Sequence, residues 1–397
     1  MSASDPIYLP KGFQFSAVAA GIKASHKPDL ALISARPGTT AAALFTKNRI
    51  VAAPVEVGRE ALARNGGHVR AVLVNSGNAN CATGPRGIRA CKLVCAETAR
   101  VLKIRPGEVF PSSTGIIGVP FPAEKVNSSL EALLENAGSS AAHLRQFAAA
   151  ILTTDTRAKL ASVPLQSGAA SLTGVAKGAG MIHPQLATML VYLLTDVKAS
   201  SAELKSCLDE AGDDSFNTIS IDGDTSTNDT VLLMASGEAG VELRRIRKQF
   251  RSALSEVCRS LAEQIVADGE GVQHVIRLRI EQAKNRRQAL EVARAIAHSP
   301  LVKTAWAGAD PNWGRILAAV GRSGIPIHPS KINIMIGGQI VCRGSAACAF
   351  DPQRAHEDLS KPECKIMVSL GNGRVALDFL TADLTAEYVS INAEYST

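Results

Sequence analysis

A threonine becomes a self-sufficient nucleophile when the peptide bond before it is cut, because the α-amino group so freed can take the proton of its own hydroxyl. Such an amine has a pKa near ~8, so much of it is free base at neutral pH. The segment KGAGMIHPQLATML, residues 177–190, presents this possibility at Thr188. Lys177 to Gly180 reads as a flexible hinge and His183 to Ala187 as a short linker, after which Thr188 opens the apolar run TMLVYLLTD. A threonine at the start of a buried strand is also ordinary, and spacing alone favours that reading.

Other routes to an activated hydroxyl find no support. The motifs G-x-S-x-G, H-E-x-x-H, G-x-x-x-x-G-K-[ST] and a G-x-G-x-x-G after a strand are all missing. Eight histidines are dispersed with none in a motif-like setting, so a base for Thr188 has to come from elsewhere. Eight cysteines lie among apolar neighbours without a CxxC pair, which suits buried thiols in a reducing compartment better than metal or disulfides. No metal site is expected.

The elements that must position this chemistry read as α/β. VRAVLV at 69–74 is a strand delivering the polar turn VNSGNAN, residues 89–102 have helical spacing, and VFPSSTGIIG returns as a strand ending in a Ser/Thr/Gly turn. An Ala-rich helix at 141–152 runs into TTDT, and residues 160–176 alternate as a pair of strands. Further helices are expected at 201–211, 246–267 and 285–298, with the strand HVIRLRIE before the last. The section from about 330 onward mixes strands with a short helix.

With 397 residues, 46% of them hydrophobic, the chain can bury large cores, and only 4% aromatic residues imply packing by small and β-branched side chains. The net charge of +7 is scattered; the basic run around Arg244 to Arg251 reads as a solvated helix face and not a nucleic-acid patch. The start MSASDPIYLPKGFQF has neither a secretory nor a transit pattern, and no apolar run approaches the ~20 residues of a membrane span. A cytoplasmic protein without nucleic-acid or membrane partners is the expectation.

Taken in order, the blocks ALFTKNR (43–49), VNSGNAN (74–80), SSTGIIG (112–118), TTDT (153–156), AKGAGMIHPQLATML (176–190), DGDTSTNDT (222–230), DGEG (268–271), SPLVKTA with DPNWGRI (299–316) and the terminal NAEYST resemble the glutamate N-acetyltransferase (ornithine acetyltransferase) family of arginine biosynthesis. The likeness runs over nearly the whole chain. It implies a sandwich-like, self-processing α/β fold of the N-terminal-nucleophile type. Cleavage between Ala187 and Thr188 would give an α chain, 1–187, and a β chain, 188–397, the latter with a smaller C-terminal α/β domain from about 285. A dimer of αβ units is implied by the resemblance alone.

Carried onto matching positions, the resemblance implies Thr188 as nucleophile, Thr114 and Gly115 as the oxyanion hole, and Thr154, Lys177, Thr188, Glu270, Asn392 and Thr397 as substrate contacts. Those residue types suit an N-acetylated amino acid: Lys177 with hydroxyl and amide donors for the α-carboxylate and acetyl oxygen, and Glu270 for a side-chain ammonium. The implied reaction moves acetyl from N-acetylornithine to glutamate through acetyl-Thr188, with acetyl-CoA open as a co-substrate and no other cofactor. A related self-processing aminopeptidase or amidohydrolase is the alternative, and acceptor-independent release of product would reveal it. His183, Gln185 and Leu186 depart from the family's usual residues before the cut and bear on the rate of processing.

Overall fold

The computed structural model describes residues 6–183 and 189–394. Two sheets stack face to face. The first joins β1 (Phe13–Val18), β2 (Leu30–Ala35), β4 (Ala71–Asn78) and β5 (Val109–Ile116) in the order β1-β2-β4-β5. The second joins β3 (Thr40–Phe45), β6 (Lys159–Leu165), β7 (Ala170–Lys177), β8 (Leu190–Thr195) and β9 (Thr230–Ala235) in the order β3-β9-β8-β7-β6. Pairing is mixed: β4 with β5 and β8 with β9 are parallel, the rest antiparallel.

Period-two alternation divides each strand between two cores, as the pleat requires. In β8, Leu190, Tyr192 and Leu194 face the first sheet, while Val191 and Leu193 face the helices Ser201–Asp213 and Leu243–Ala267. In β4, Val72 and Val74 point into the sandwich, whereas Ala71 and Leu73 face the helices Ala53–Arg64 and Gly84–Leu102. The result is four layers, helices outside and two sheets within. Every residue of β8 is buried, which explains its uninterrupted apolar run. Burial of each such Val or Leu contributes about 1.5–3 kcal/mol. Helix Ala141–Ala150 plugs one side of the sandwich, with Phe147 edge-on to Tyr192 at 5.5 Å between ring centres.

A third sheet has its own core. It comprises β10 (Val275–Ala283), β11 (Asn333–Ile336), β12 (Gln339–Arg343), β13 (Ala346–Ala347), β14 (Glu363–Ser369) and β15 (Val375–Ala382), ordered β13-β12-β11-β14-β10-β15. The helix Arg286–Ala297 packs Ala289, Val292, Ala293 and Ile296 on its inner face. A main-chain bond from Ser220 N–H to Leu380 O at 2.9 Å, together with Leu380 and Ala382 in the core under helix Leu243–Ala267, ties this sheet to the sandwich.

Most sequence expectations find their elements, within a few residues. Helix Leu243–Ala267 begins three residues before 246, with a kink at Ile246, and its arginines 244, 245 and 247 are solvent-facing as expected. Residues 177–180 are not the hinge that their glycines suggested: Lys177 closes β7, Gly178 N–H donates to Asp155 Oδ1 at 2.6 Å, and Ala179 O accepts from Glu270 N–H at 2.9 Å. All eight cysteines are free thiols, seven of them buried. Among the described residues no helix is long and apolar enough to cross a membrane.

Candidate active site

The ends of β5 and β7 meet in a cleft. Beside Gly77 and Asn78 the β4–β5 ladder carries a bulge opposite Thr114 to Ile116, and Gly115 adopts φ +131°. A Cβ on Gly115 would lie 2.3 Å from the Gly77 carbonyl carbon, so this close approach admits only glycine. The strand end is fixed from the loop that leads into β9 by Asn228, whose Nδ2 donates to Ala79 O at 2.7 Å and Ser113 O at 2.9 Å. Thr114 is buried, its hydroxyl accepting from Lys177 Nζ at 3.3 Å.

Lys177 is almost fully withdrawn from solvent. Its ammonium donates to Thr153 Oγ1 at 2.8 Å and stands 3.7 Å from Asp155 Oδ2. Burial lowers its pKa, against the raising effect of Asp155. For Asp155 burial acts upward, yet the Lys177 and Lys159 ammoniums outweigh it and hold the carboxyl well below the ordinary carboxylate range. Lys159 is itself fully buried between Asp155 at 2.7 Å and Asp268 at 2.6 Å. Asp268 also accepts the Thr156 N–H at 3.2 Å and the Thr156 hydroxyl. Four alternating charges thus run from the cleft into the protein, each compensated by a neighbour of opposite sign.

Across the cleft, Glu270 follows the end of helix Leu243–Ala267 and accepts from Asn392 Nδ2 at 2.9 Å. Asn392 lies on the last helix, Ala386–Glu394, beyond β15. Gly180 makes room for this carboxylate, since a Cβ there would fall 2.5 Å from Glu270 Oε2. Asp222, Asp224 and Tyr388 complete an acidic wall. Burial pushes the Asp222 carboxyl up to about 6, although it accepts from Met181 N–H at 2.5 Å and Ile182 N–H at 2.9 Å.

Six of the residues singled out in the sequence, Thr114, Gly115, Thr154, Lys177, Glu270 and Asn392, line one cavity of about 130 Å³. They come from positions 114 to 392, and tertiary structure alone brings them together. Ala187, Thr188 and Thr397 lie outside the described residues. The chain enters the segment before Thr188 at His183 and leaves it at Met189, whose N–H donates to Asp229 Oδ1 at 2.9 Å.

The family model for ArgJ matches residues 14–397. The chain belongs to the ArgJ family. The arginine biosynthesis bifunctional protein ArgJ of Chlorobaculum tepidum is 41% identical over 397 residues, covering 99% of this chain and 98% of that protein. Its namesake from Methylococcus capsulatus is 42% identical over 404 residues, covering 97% and 95%. Among solved structures, arginine biosynthesis bifunctional protein ArgJ from Bacillus halodurans superposes with a TM-score of 0.50 at 39% identity, over 51% of this chain and 98% of its own. The family resemblance read from the sequence blocks is thereby shown, and the α/β sandwich expected of it is the observed fold.

For an ArgJ family chain the sequence reading left several site residues unassigned. Asp155, Lys159, Asp268, Asp222, Asn228 and Asp229 buttress the cavity or its approaches. Five of the six fall inside the quoted blocks TTDT, DGDTSTNDT and DGEG, so the signal was their membership in polar runs that end up buried. Lys159, in an ordinary alternating strand, carried none.

Proposed function

We propose that the chain is a self-cleaving acetyltransferase that moves acetyl from N-acetylornithine to glutamate through an ester on Thr188, as the family resemblance implied. The observation that carries it is the cavity itself. A buried ammonium and a glycine-constrained strand end stand opposite an acidic wall in one cavity.

In self-cleavage the Thr188 hydroxyl adds to the Ala187 carbonyl and the C–N bond breaks, leaving an ester that water opens. The freed amine then takes the hydroxyl proton as the oxygen attacks the acetyl carbon of the donor. Negative charge collects on the acetyl oxygen, where the Thr114 and Gly115 end of β5 supplies donors. Ornithine leaves with the proton from the Thr188 ammonium, and glutamate accepts acetyl by the reverse steps. Lys177 suits the substrate α-carboxylate, and Glu270 with Asn392 suits the ornithine ammonium.

The length of the solved Bacillus halodurans chain supports a cut near the middle: it matches over 98% of itself yet spans only 51% of this sequence. The word bifunctional in the relatives' names supports a second use of the same site, with acetyl-CoA as donor to glutamate. An αβ pair from one precursor, assembled as a dimer in the cytoplasm, completes the proposal.

The test is intact-mass analysis of wild type and Thr188→Ala under denaturing conditions. Wild type should give two fragments of roughly 20 and 22 kDa, in proportion to length, and should gain one acetyl group on the larger after N-acetylornithine alone. Two fragments from Thr188→Ala would remove the assignment.

A further inference from the structure

Three buried asparagines stand where the β4–β5 ladder is broken. Asn75, Asn78 and Asn228 are 4%, 4% and 7% exposed. Asn75 Nδ2 donates to Asn78 O at 2.8 Å, and Asn75 Oδ1 accepts from the Ser113 hydroxyl at 2.6 Å. Asn78 Oδ1 accepts from Asn80 N–H at 2.8 Å, and Asn78 Nδ2 donates to Pro120 O at 3.1 Å. A bulge takes main-chain groups away from their ladder partners, and buried ones must find others. The blocks VNSGNAN and DGDTSTNDT supply them here.

Asn228 differs from the other two in reaching this strand end from outside its sheet. β5 is an edge strand, so within the sheet β4 alone holds it. Asn228 Nδ2 donates to Ser113 O at 2.9 Å and to Ala79 O at 2.7 Å. The Ser113 oxygen and the Thr114 nitrogen belong to one planar peptide, so the first bond sets the orientation of the unit that leads into Thr114. Ala79 N–H in turn donates to Ile116 O at 2.9 Å, so the second bond steadies the residue that holds the chain just past Gly115. Gly115, at φ +131°, is thereby anchored on both sides. Asn228 Oδ1 accepts from the Thr227 hydroxyl at 2.6 Å. The Asn228 side chain lines the cavity, yet its amide protons are spent on main-chain carbonyls and none is left for a substrate.

We propose that Asn228 is the positioning residue of the oxyanion site, holding the Thr114–Gly115 end of β5 so that its donors are in place before charge forms. This rests on the reading of Thr114 and Gly115 as donors to the acetyl oxygen. Donors fixed in advance stabilise an oxyanion because nothing has to reorganise when the charge appears. A strand end at the margin of a sheet, next to a glycine with positive φ, has little rigidity of its own. A neutral amide with two donors can hold two carbonyls at once without adding a charge beside the reacting atoms.

The experiment is steady-state acetyl transfer from N-acetylornithine to glutamate by cut Asn228→Asp, Thr114→Ala and the double variant, with a thermal midpoint for each. Asn228→Asp keeps the side-chain shape and the acceptor for Thr227 but loses both donors. It should lower kcat by about ten- to a hundredfold. KM for N-acetylornithine should stay at the wild-type value, since the strand end acts on the transition state alone. Added to Thr114→Ala, the same change should cost clearly less than it costs in wild type, because both act on one strand end. A kcat within about twofold of wild type, a rise in KM in place of the kcat loss, or losses that multiply fully in the double variant overturns the assignment. If Asn228→Asp yields no folded, cut protein, Asn228→Ser, which keeps one donor and adds no charge, is read in its place. Wild-type kcat in Thr114→Ala instead removes the oxyanion reading on which the proposal rests, whatever Asn228→Asp does.

Discussion

Lys159 Nζ reaches Asp268 Oδ2 at 2.6 Å across 109 residues of chain, and both side chains are shut away from water. The same ammonium holds Asp155 at 2.7 Å, which in turn stands beside Lys177 in the cleft. Lys177 is thus aimed by a carboxylate that is itself aimed by a residue no substrate touches.

Replacement Lys159→Met leaves Asp155 and Asp268 buried with one cation fewer. A broken buried pair of this kind costs about 3–5 kcal/mol, so urea unfolding of the cut protein should show a midpoint well below wild type. The Asp155 carboxyl is held below its unfolded value of 3.8. Stability from it is complete above pH 3.8 and declines as pH falls from there toward the folded value. In Lys159→Met that acid loss should be smaller, and an unchanged acid limb would count against the charge chain.

Gly115→Ala should be worse for catalysis than its single methyl suggests. Its Cβ would press on Gly77 at 2.3 Å from a φ of +131°, forcing β5 away from β4. Loss of one donor from an oxyanion site lowers kcat by about 10²–10³. Thr114→Ala, which removes the hydroxyl facing Lys177 without that clash, should show a similar loss in transfer assays with normal thermal stability.

Glu270→Gln should separate the two half-reactions. A hydrogen bond to a charged group contributes about 1.5–3 kcal/mol, so KM for N-acetylornithine should rise by roughly ten- to a hundredfold. The glutamate half-reaction, whose substrate carries no side-chain ammonium, should change less. Equal effects on both, measured by acetylation of Thr188 and by its discharge to glutamate, would remove Glu270 from ammonium recognition.

His183 and His298 lie against each other tilted by 39° with ring centres 4.8 Å apart, and His298 Nε2 meets Ser220 Oγ at 2.9 Å. Burial, then the Arg294 guanidinium, pushes His183 down to about 4; burial, then His183, pushes His298 down to about 3. The unfolded chain binds protons near 6.5 that the folded chain refuses. Stability is therefore full above about pH 6.5 and falls as pH drops toward 4 and 3. Thermal melts should show the midpoint falling between pH 7 and pH 5, and the slope should flatten in His298→Gln. Equal slopes would show that other groups set the acid limit.

Much of the fold was legible because its signals are local. The buried apolar runs of β4 and β8 and the helical spacing of residues 201–211 and 246–267 follow from short-range sterics and burial. The residue types of the cavity were legible as well, since Thr114, Gly115, Thr154, Lys177, Glu270 and Asn392 stand in recognisable polar blocks.

What the sequence determined by itself is the set of elements, the family, and the order of chemistry-bearing residues along the chain. Only tertiary structure decided that Lys177 ends a buried strand instead of opening a hinge, and that Lys159 pairs with Asp268. It also decided that Asp222 and Asp229 grip the chain on either side of the Ala187–Thr188 bond. The reason is that a side chain's charge state and partner depend on desolvation and on neighbours a hundred residues distant. No local pattern records either one.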